Sequence, residues 1–327
     1  MRYSITHICP PSTGGVSDYV DVAIQHQPSA MKLPLNKVLA KDFKLSGNVL
    51  LHLSGYGYQK RGAPLWLLNK FLTDQPGIKK LGVFFHELYA FGPPWGSAFW
   101  LSPVQRHIAR RLAEMSDFWI TNREDSAQWL RQFSGHKPHA VLPVFSNVGE
   151  MPANTQGRAP KIVIFGSAGL RLSTYRGAGE TLFSWAREQG LELHDIGPAI
   201  DDPVLFATLR RVGVVQHGRL ETAEVSKQLS DAMFGVVAYP IDYVAKSGVF
   251  AAYCAHGVCP ILISKHYALS DALMAGTHYL AGLPQGAIQH SIVSNIESAA
   301  WNWYQPHRIM AHVNTLKQLF NEADTAC

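Results

Sequence analysis

The chain has 327 residues, of which 47% are hydrophobic and 16% are charged, and its formal net charge is +5. This composition excludes a disordered or fibrous protein and suffices for two globular domains of about 150 residues each. Because the small basic excess is spread along the chain, we expect a phosphate-bearing small molecule or a membrane surface as partner, and no nucleic acid.

The four cysteines are irregularly spaced and favour neither a disulfide framework nor a zinc site; they are Cys9, Cys254, Cys259 and Cys327. Residues 1–9 lack the apolar core of a signal peptide, and no apolar run approaches the roughly 18 residues that a membrane span needs. We therefore predict a cytoplasmic protein that binds no metal.

Short apolar runs alternate with longer amphipathic segments, which is typical of parallel sheets covered by helices. In the first half the pattern predicts strands at 3–8, 48–53, 81–87, 118–122 and 140–144. The same half predicts helices at 16–24, 65–73, 103–115 and 123–133.

The pattern stops at 148–160, which we interpret as a linker, and then starts afresh. The second half predicts strands at 161–167, 192–196, 214–217, 234–239 and 260–264, and helices at 177–189, 203–212, 223–230 and 249–256. The expected fold is α/β, with Rossmann-like domains over 1–147 and 161–304 that face each other across a cleft. A C-terminal helix within 305–327 is expected to cross back to the first domain.

The polar loops that stand out follow predicted strands, where open parallel sheets bind their ligands. Gly14-Gly15 follows the first strand, and His86-Glu87 ends the third. In the second half, Ser167 to Arg176 follows the first strand, and Lys246-Ser247 lies beyond 234–239. Ser247, Gly248 and Val249 open a small-residue helix whose first amides suit an anion such as a diphosphate.

In their order along the chain and their positions after predicted strands, these loops resemble those of the retaining GT-B glycosyltransferases, particularly glycosyltransferase family 4. The resemblance implies transfer of a sugar from a nucleoside diphosphate to a hydroxyl group, with retention and without a cofactor. The acceptor would be a glycan or a lipid-linked molecule in polysaccharide or glycan-precursor biosynthesis.

The resemblance also assigns roles to residues. Gly14 and Gly15 would let backbone amides approach the donor, and His86 would face the transferred sugar, with Glu87 holding the acceptor hydroxyl. An ordinary tight turn and a histidine that satisfies backbone groups are the alternatives for the glycine pair and for His86.

The loop after residue 166 occupies the family's place for a basic pair that neutralises the β-phosphate. Ser167 stands where the family has arginine, and Arg176 stands where it has lysine. Either Arg171 or Arg176 would reach the phosphate, together with Lys246, Ser247 and the amides of Gly248 and Val249. Solvent-exposed side chains are the alternative for the arginines and for Lys246.

Two glutamates of the family pattern are missing, because Val244 and Ala252 occupy their positions. Asp242 or Tyr243 would contact the sugar in place of the missing acids. The absence of the acids leaves two alternatives open: a non-catalytic subunit that binds a nucleotide sugar, and a sugar-nucleotide epimerase of the same architecture.

One predicted helix is a candidate for contact with a membrane that carries the acceptor. The segment 103–115 combines an apolar stripe with Arg106 and Arg110 on roughly the opposite face. The arginines would suit anionic lipid head groups in peripheral contact with a membrane, with a solvated helix face as the alternative. The aromatic loop 89–96 is a candidate for stacking on a sugar or for covering the core of the first domain.

Overall fold

The computed structural model describes residues 5–12, 14–89, 95, 97–152 and 157–322. The chain forms two compact units, Met1–Pro143 with Ile309–Cys327, and Val144–Arg308. Each unit contains one six-stranded sheet whose paired strands are all parallel. The predicted α/β fold with two Rossmann-like domains is confirmed.

The first sheet has the order β2-β1-β3-β4-β5-β6. Its strands are β1 (Ile5–Cys9), β2 (Ala30–Pro34), β3 (Gly47–Leu53), β4 (Ile78–Phe85), β5 (Phe118–Thr121) and β6 (His139–Val141). The central strands β3 and β4 are almost continuously buried, as expected for parallel strands covered on both faces.

The helices of the first unit include one from the end of the chain. They are α1 (Gly15–Gln25), α2 (Leu39–Asp42), α3 (Gly55–Tyr58), α4 (Leu65–Asp74), α5 (Ser97–Met115), α6 (Glu124–Ser134) and α13 (Ile309–Glu322). Helix α13 packs against α1, which is why the chain from residue 309 onwards belongs to the first unit.

The second sheet has the order β12-β11-β10-β7-β8-β9. Its strands are β7 (Ala159–Phe165), β8 (Glu192–Ile196), β9 (Val215–Gly218), β10 (Ala232–Ala238), β11 (Cys259–Ile263) and β12 (Leu280–Ala281). Counted from β7, this is the strand order 3-2-1-4-5-6 of the Rossmann fold.

The helices of the second unit are α7 (Ala168–Ala178), α8 (Glu180–Glu188), α9 (Pro203–Arg211), α10 (Thr222–Asp231), α11 (Gly248–Ala255) and α12 (His290–Tyr304). The prediction of one helix over 177–189 was wrong in its start. The segment after Ser167 is already helical, and Gly179, with φ of 60°, separates α7 from α8.

The segment that we interpreted as a linker is partly described. Residues 153–156 lie outside the described part of the chain, and the last two residues of the segment already begin β7. The chain passes from the first unit to the second between Pro143 and Val144, and back to the first between Arg308 and Ile309.

Helix α5 begins six residues earlier than predicted, so that Pro103 lies inside it. Ile108 and Leu112 of the predicted apolar stripe are buried in the core of the first unit. Within the described ranges, no helix is both long and apolar enough to cross a bilayer.

Candidate functional site

The strand order of the second sheet reverses between β7 and β10. The strands β8 and β9 lie on one side of this pair, and β11 and β12 lie on the other. The connections after β7 and β10 therefore diverge from neighbouring strand ends. Parallel sheets of this order bind ligands in the crevice formed at such a point. The candidate donor site of the second unit is built from these two connections.

Ser247 begins α11 by capping it. Its side-chain oxygen accepts a hydrogen bond from the amide of Phe250 at 3.2 Å, and its carbonyl accepts from Ala251 at 2.9 Å. The first two helical amides, those of Gly248 and Val249, have no acceptor among the described residues. The start of α11 thus offers two amide donors and the positive end of the helix dipole.

A second capped helix begins beside the first. Ser167 caps α7 by accepting from the amide of Leu170 at 3.3 Å. The preceding Gly166 has φ of 125°, and a Cβ added there would lie 3.1 Å from Cγ2 of Val249. The two helix starts are therefore in contact, which brings Ser167 near Ser247 and Val249.

Lys246 is the cation placed next to the start of α11. It is the last residue of the 3₁₀ turn Ile241–Lys246 and directly precedes the capping Ser247. Its Nζ lies 6.0 Å from the ring centroid of Tyr243. Lys246 is half-buried, and its positive charge belongs to the same end of α11 as the amides of Gly248 and Val249.

Arg171 lies near the start of α7, but its guanidinium already has protein partners. The side chain is buried, forms an ion pair with Asp195, and donates to the carbonyl oxygens of Gly166 and Pro198. Tyr175 donates to the other carboxylate oxygen of Asp195 at 2.9 Å. This network holds the strand ends together, and the assignment of Arg171 to a phosphate stays a prediction that the geometry does not favour.

Arg176 is exposed in the last turn of α7 and pairs with Asp202 at 3.0 Å. Nine residues separate it from Ser167, which corresponds to about 13 Å along a helix. Asp202 caps α9, and its pKa is lowered by the amide of Leu205 and by Arg176. The role of Arg176 as phosphate ligand also stays a prediction.

The positions of the two missing glutamates are buried. Val244 and Ala252 are 1% and 0% exposed, so apolar packing occupies both positions. The carboxylate near this edge is that of Asp242, which lies 3.1 Å from Nε2 of His266. His266 follows β11, and this pairing did not follow from the sequence.

In the first unit, the corresponding reversal lies between β1 and β3. Gly14 follows β1 with φ of 151° and caps α1, which begins at Gly15. A Cβ at either glycine would meet nothing within 4 Å. The backbone is thus open to approach, as expected for the glycine turn, and only Gly14 needs glycine for its conformation.

His86 follows β4 and is the last of three hydrogen-bonded imidazoles. Nε2 of His86 lies 3.0 Å from Nδ1 of His52, and Nε2 of His52 lies 3.0 Å from Nδ1 of His7. Strand register explains this row. His7 is paired in register with Leu50 of β3, and His52 lies two residues after Leu50. His52 is in turn paired with Phe84 of β4, and His86 lies two residues after Phe84. Steps of two residues keep all three side chains on the same face of the sheet.

Burial holds two of the three imidazoles, those of His7 and His52, in the neutral form. Burial lowers the pKa of His52 well below its ordinary value, with further lowering by His7 and His86. Burial also lowers the pKa of His7 to about 4, although the side chain of Gln27 acts in the opposite direction. Near neutral pH, His7 and His52 therefore carry no charge.

Glu87 is exposed next to His86 at the same sheet edge. Its Oε2 accepts a hydrogen bond from the hydroxyl of Ser54 at 2.8 Å, and its amide donates to the carbonyl of Leu53 at 3.2 Å. Ser54 follows β3, so the connection after that strand fixes the carboxylate. The predicted residues Gly14, Gly15, His86 and Glu87 thus all lie at the carboxyl edge of the first sheet.

The sequence analysis assigned no role to His7, His52 or Ser54. Their signal was a polar residue within or directly after an otherwise apolar strand, since such residues are buried only with partners. Recognising their connection also required the register of three strands. In the described residues, no group of three or more histidine, cysteine, aspartate or glutamate side chains could hold a metal ion.

A cavity of about 720 Å³ lies at the opposite, amino edge of the second sheet. Trp185, Trp301 and the Arg158–Glu297 ion pair help to line it. Arg158 also donates to the carbonyl oxygens of Ser230, Ala232 and His256. Because the strand ends that line it are amino ends, this cavity is separate from the candidate donor site.

Known structures share this fold. The chain is similar to the pneumococcal O-GlcNAc transferase GtfA, solved with UDP and GlcNAc, with a TM-score of 0.56 and 13% identity over 88% of this chain. It spans only 59% of the GtfA chain. AviGT4, a glycosyltransferase involved in avilamycin A biosynthesis, has a TM-score of 0.54 and 10% identity, with 98% of both chains covered.

A putative UDP-N-acetylglucosamine 2-epimerase from Listeria monocytogenes is similar to the same extent, with a TM-score of 0.56, 12% identity and 98% coverage of both chains. No family model matches the chain, and no curated protein sequence is significantly similar to it. At these identities the similarity establishes the fold alone. The chain has the GT-B fold that glycosyltransferases such as GtfA and AviGT4 share.

Proposed function

We propose that the protein is a glycosyltransferase that moves a sugar from a nucleoside diphosphate to a hydroxyl acceptor. One observation carries the proposal: the serine-capped starts of α7 and α11 meet at the reversal of the second sheet, beside Lys246. These helix starts would form an anion site, and they lie at the position where Rossmann-like sheets bind nucleotides. The fold shared with glycosyltransferases supports the same assignment.

The chemistry needs negative charge to be stabilised on the departing diphosphate. The amides of Gly248 and Val249 would hold its oxygens, Ser167 would contribute at the neighbouring helix start, and Lys246 would add a full charge. These groups are fixed by the helix caps before the substrate arrives. A metal ion is not required for this charge stabilisation in the mechanism that we propose.

The first unit would bind the reacting sugar and the acceptor. Gly14 and Gly15 would allow close approach of the backbone, and His86 would hydrogen-bond the transferred sugar. Glu87, fixed by Ser54, would accept a hydrogen bond from the acceptor hydroxyl. We propose retention of configuration and a place beside family 4 because of the loop order, with Asp242 and Tyr243 as sugar contacts in place of the missing glutamates.

A glycan or lipid-linked acceptor in polysaccharide or glycan-precursor biosynthesis fits this proposal, in the cytoplasm and in peripheral contact with a membrane. Exposed Phe99 and Trp100 on α5 support the membrane contact. The two arginines of that helix support it less, because Arg106 lies over the ring of Tyr89 and Arg110 pairs with Glu114.

Two alternatives rest on particular observations. Burial of apolar Val244 and Ala252 at the glutamate positions favours a subunit that binds a nucleotide sugar without turnover. The similarity to a putative 2-epimerase favours epimerisation of the nucleotide sugar. Both alternatives keep the diphosphate site and differ in the fate of the sugar.

The test is incubation with a panel of nucleotide sugars in the presence and absence of glycan and lipid-linked hydroxyl acceptors. We expect nucleotide release that depends on the acceptor, and a product whose anomeric configuration, read by proton NMR, equals that of the donor. Inversion would contradict retention. Reversible formation of an epimer without acceptor would favour the epimerase, and binding without any product would favour the non-catalytic subunit.

A further inference from the structure

The cavity at the amino edge of the second sheet has the size of a small-molecule site. Its volume of about 720 Å³ falls within the range of roughly 300–1,000 Å³ that is usual for ligand pockets. Its described lining residues all belong to the second unit. They come from the amino ends of β7 and β10, from the turn before β8 and from one side of α12.

The walls of the cavity are largely apolar and include two tryptophans. Nε1 of Trp185 donates to the carbonyl oxygen of Gly286 at 3.2 Å, and Nε1 of Trp301 donates to that of Met151 at 3.3 Å. Because both indole N–H groups have partners, the rings can offer a ligand only their apolar and π surfaces. The apolar side chains around them are Leu191, Met233, Phe234, Ile288 and Val293. This lining favours an apolar or aromatic molecule.

Glu297 supplies a hydrogen-bond acceptor in this apolar lining. Its side chain is 19% exposed and lies in the middle of α12. Oε1 lies 3.2 Å from Nε of Arg158, and among the described residues no donor forms a hydrogen bond with Oε2. Burial raises the pKa of Glu297, although Arg158 and His290 act in the opposite direction. The protein thus compensates this carboxylate only in part, and a bound cation would complete the compensation.

The charge of Arg158 is shared with other acceptors at this edge. Its guanidinium donates to the carbonyl oxygens of Ser230, Ala232 and His256. Ser230 lies in the last turn of α10 and His256 directly follows α11, so two of these carbonyls belong to the negative ends of helix dipoles. Helix α8 also ends at this edge, at the lining residue Gln189. One arginine is thus set against a carboxylate and the C-terminal ends of three helices, which favours a positively charged ligand.

His290 is the remaining titratable residue of the described lining. Its Nδ1 lies 3.0 Å from Oγ of Ser294. His290 begins α12 and precedes Glu297 by seven residues, which corresponds to about 10 Å along the helix. Because the effect of a helix dipole falls off within the first turn, the positive end of α12 does not cancel the charge of Glu297.

We propose that this cavity is a binding site for a small organic cation, namely an aromatic or apolar molecule with an amino group. Its ring packs against Trp185 and Trp301, and its ammonium group pairs with Oε2 of Glu297. A diphosphate does not suit this lining, because the carboxylate and the helix ends repel anions. The site goes beyond the proposed function, since it lies at the edge of the sheet opposite the candidate donor site.

The test is titration calorimetry of the full chain at pH 7.5 with three probes that share one ring system and differ in charge. They are tryptamine, 3-methylindole and indole-3-acetate. We expect tryptamine to bind with a Kd of about 100 μM or below, and 3-methylindole to bind about tenfold more weakly. Indole-3-acetate should not bind at millimolar concentration. Equal affinity for the three probes, or no binding of tryptamine below millimolar concentration, would overturn the proposal.

Two variants locate the binding in the cavity. Ser294→Phe fills space in the cavity without changing Arg158 or Glu297, and it should abolish binding of tryptamine. Asn295→Phe, at the next and exposed position of α12, does not line the cavity and is the matched control. Tryptamine binding that is unchanged in Ser294→Phe would overturn the proposal.

A third variant tests the charge. Glu297→Gln keeps the shape of the side chain, and its affinity for tryptamine should fall about tenfold, to that for 3-methylindole, whose own affinity should be unchanged. Glu224→Gln, at an exposed position of α10, should bind like the wild type. If Glu297→Gln retains the full preference for tryptamine, the proposal is wrong. Where Glu297→Gln does not fold, because Arg158 has lost its ionic partner, the three probes on the wild type and Ser294→Phe decide the question.

The outcome is independent of the proposed function. Lys246→Ala should bind tryptamine like the wild type, because Lys246 belongs to the opposite edge of the sheet. If no nucleoside diphosphate binds to the protein, the donor site fails and the binding of tryptamine still tests the cavity.

Discussion

Gly166 lies against Val249, and a Cβ on the glycine would come 3.1 Å from Cγ2 of the valine. This contact joins the connection after β7 to the start of α11. Ser167 and Ser247, eighty positions apart in the sequence, cap the two adjoining helices and would thereby contribute to one proposed anion site. The proposed function depends on this proximity.

Replacing Gly166 should disturb that contact. In Gly166→Ala, the positive φ of 125° and the close Val249 side chain both oppose the new methyl group. We expect a loss of about 1–3 kcal/mol in the free energy of unfolding, measured by urea denaturation. Gly169→Ala is the matched control, because it lies in α7 with nothing within 4 Å of a Cβ, and it should not destabilise the protein.

The contribution of Ser247 to stability and that of Lys246 to nucleotide binding can be measured separately. Ser247→Ala removes the bond to the amide of Phe250 and should cost about 1 kcal/mol of unfolding free energy. Lys246→Ala should leave stability nearly unchanged while weakening nucleotide binding. Equal stability of Ser247→Ala and wild type in thermal or urea unfolding would contradict the capping role.

The two arginines of α7 should behave differently. Arg171→Met leaves Asp195 buried without its ion partner, so we expect a loss of about 3–5 kcal/mol in unfolding free energy. The double variant Arg171→Met/Asp195→Leu should recover part of this loss, and Arg187→Met on the exposed face of α8 is the control. If Arg171→Met were as stable as the control, the structural role of Arg171 would be wrong.

Arg176→Ala tests the remaining phosphate assignment. Its side chain is largely exposed, so we expect no measurable change in stability. If Arg176 is a phosphate ligand, Arg176→Ala should weaken binding of a nucleoside diphosphate about tenfold, as measured by titration calorimetry. Unchanged affinity would remove Arg176 from the donor site and leave Lys246 as its cation.

Stability should fall on mild acidification because of the buried imidazoles. The pKa of His7 is about 4 in the folded protein, against an ordinary value of 6.5. The unfolded chain therefore binds the proton more readily, and the stabilisation is complete above pH 6.5 and is lost as pH falls toward 4. For His7 alone the loss amounts to about 3 kcal/mol.

The measurement is the urea midpoint of the wild type and of His7→Phe at pH 7.5, 6.5, 5.5 and 5.0, a window above the titration of most carboxylates. We expect a shallower decline for His7→Phe, because it cannot gain a proton on unfolding. Parallel curves for the two proteins would show that His7 is not held neutral by the fold.

The apolar runs were sufficient to predict the central strands, since burial on both faces leaves a continuous hydrophobic signal at β3, β4, β7, β10 and β11. The edge strands β2 and β12 were not predicted, because they are short and partly exposed. The early start of α7 was missed because Gly169 and Gly177 resemble loop residues in the sequence.

The candidate site was predictable where it depended on single loops and not where it depended on register. Gly14, His86, Ser167 and Ser247 follow strands, and the sheets bring each to a carboxyl edge. The partners of Arg171 and the row of histidines depend on which strands are neighbours and how they are aligned. That alignment is a tertiary property and leaves no local pattern in the sequence.

The most direct test of the donor site is titration calorimetry with nucleoside diphosphates of each common base and with the matching nucleosides. We predict that at least one diphosphate binds with a Kd in the micromolar range, and that its nucleoside binds about 100-fold more weakly. Lys246→Ala should weaken the diphosphate about tenfold, whereas Lys227→Ala on α10 should not. No binding of any diphosphate below millimolar concentration, or equal affinity of Lys246→Ala and wild type, would contradict the account.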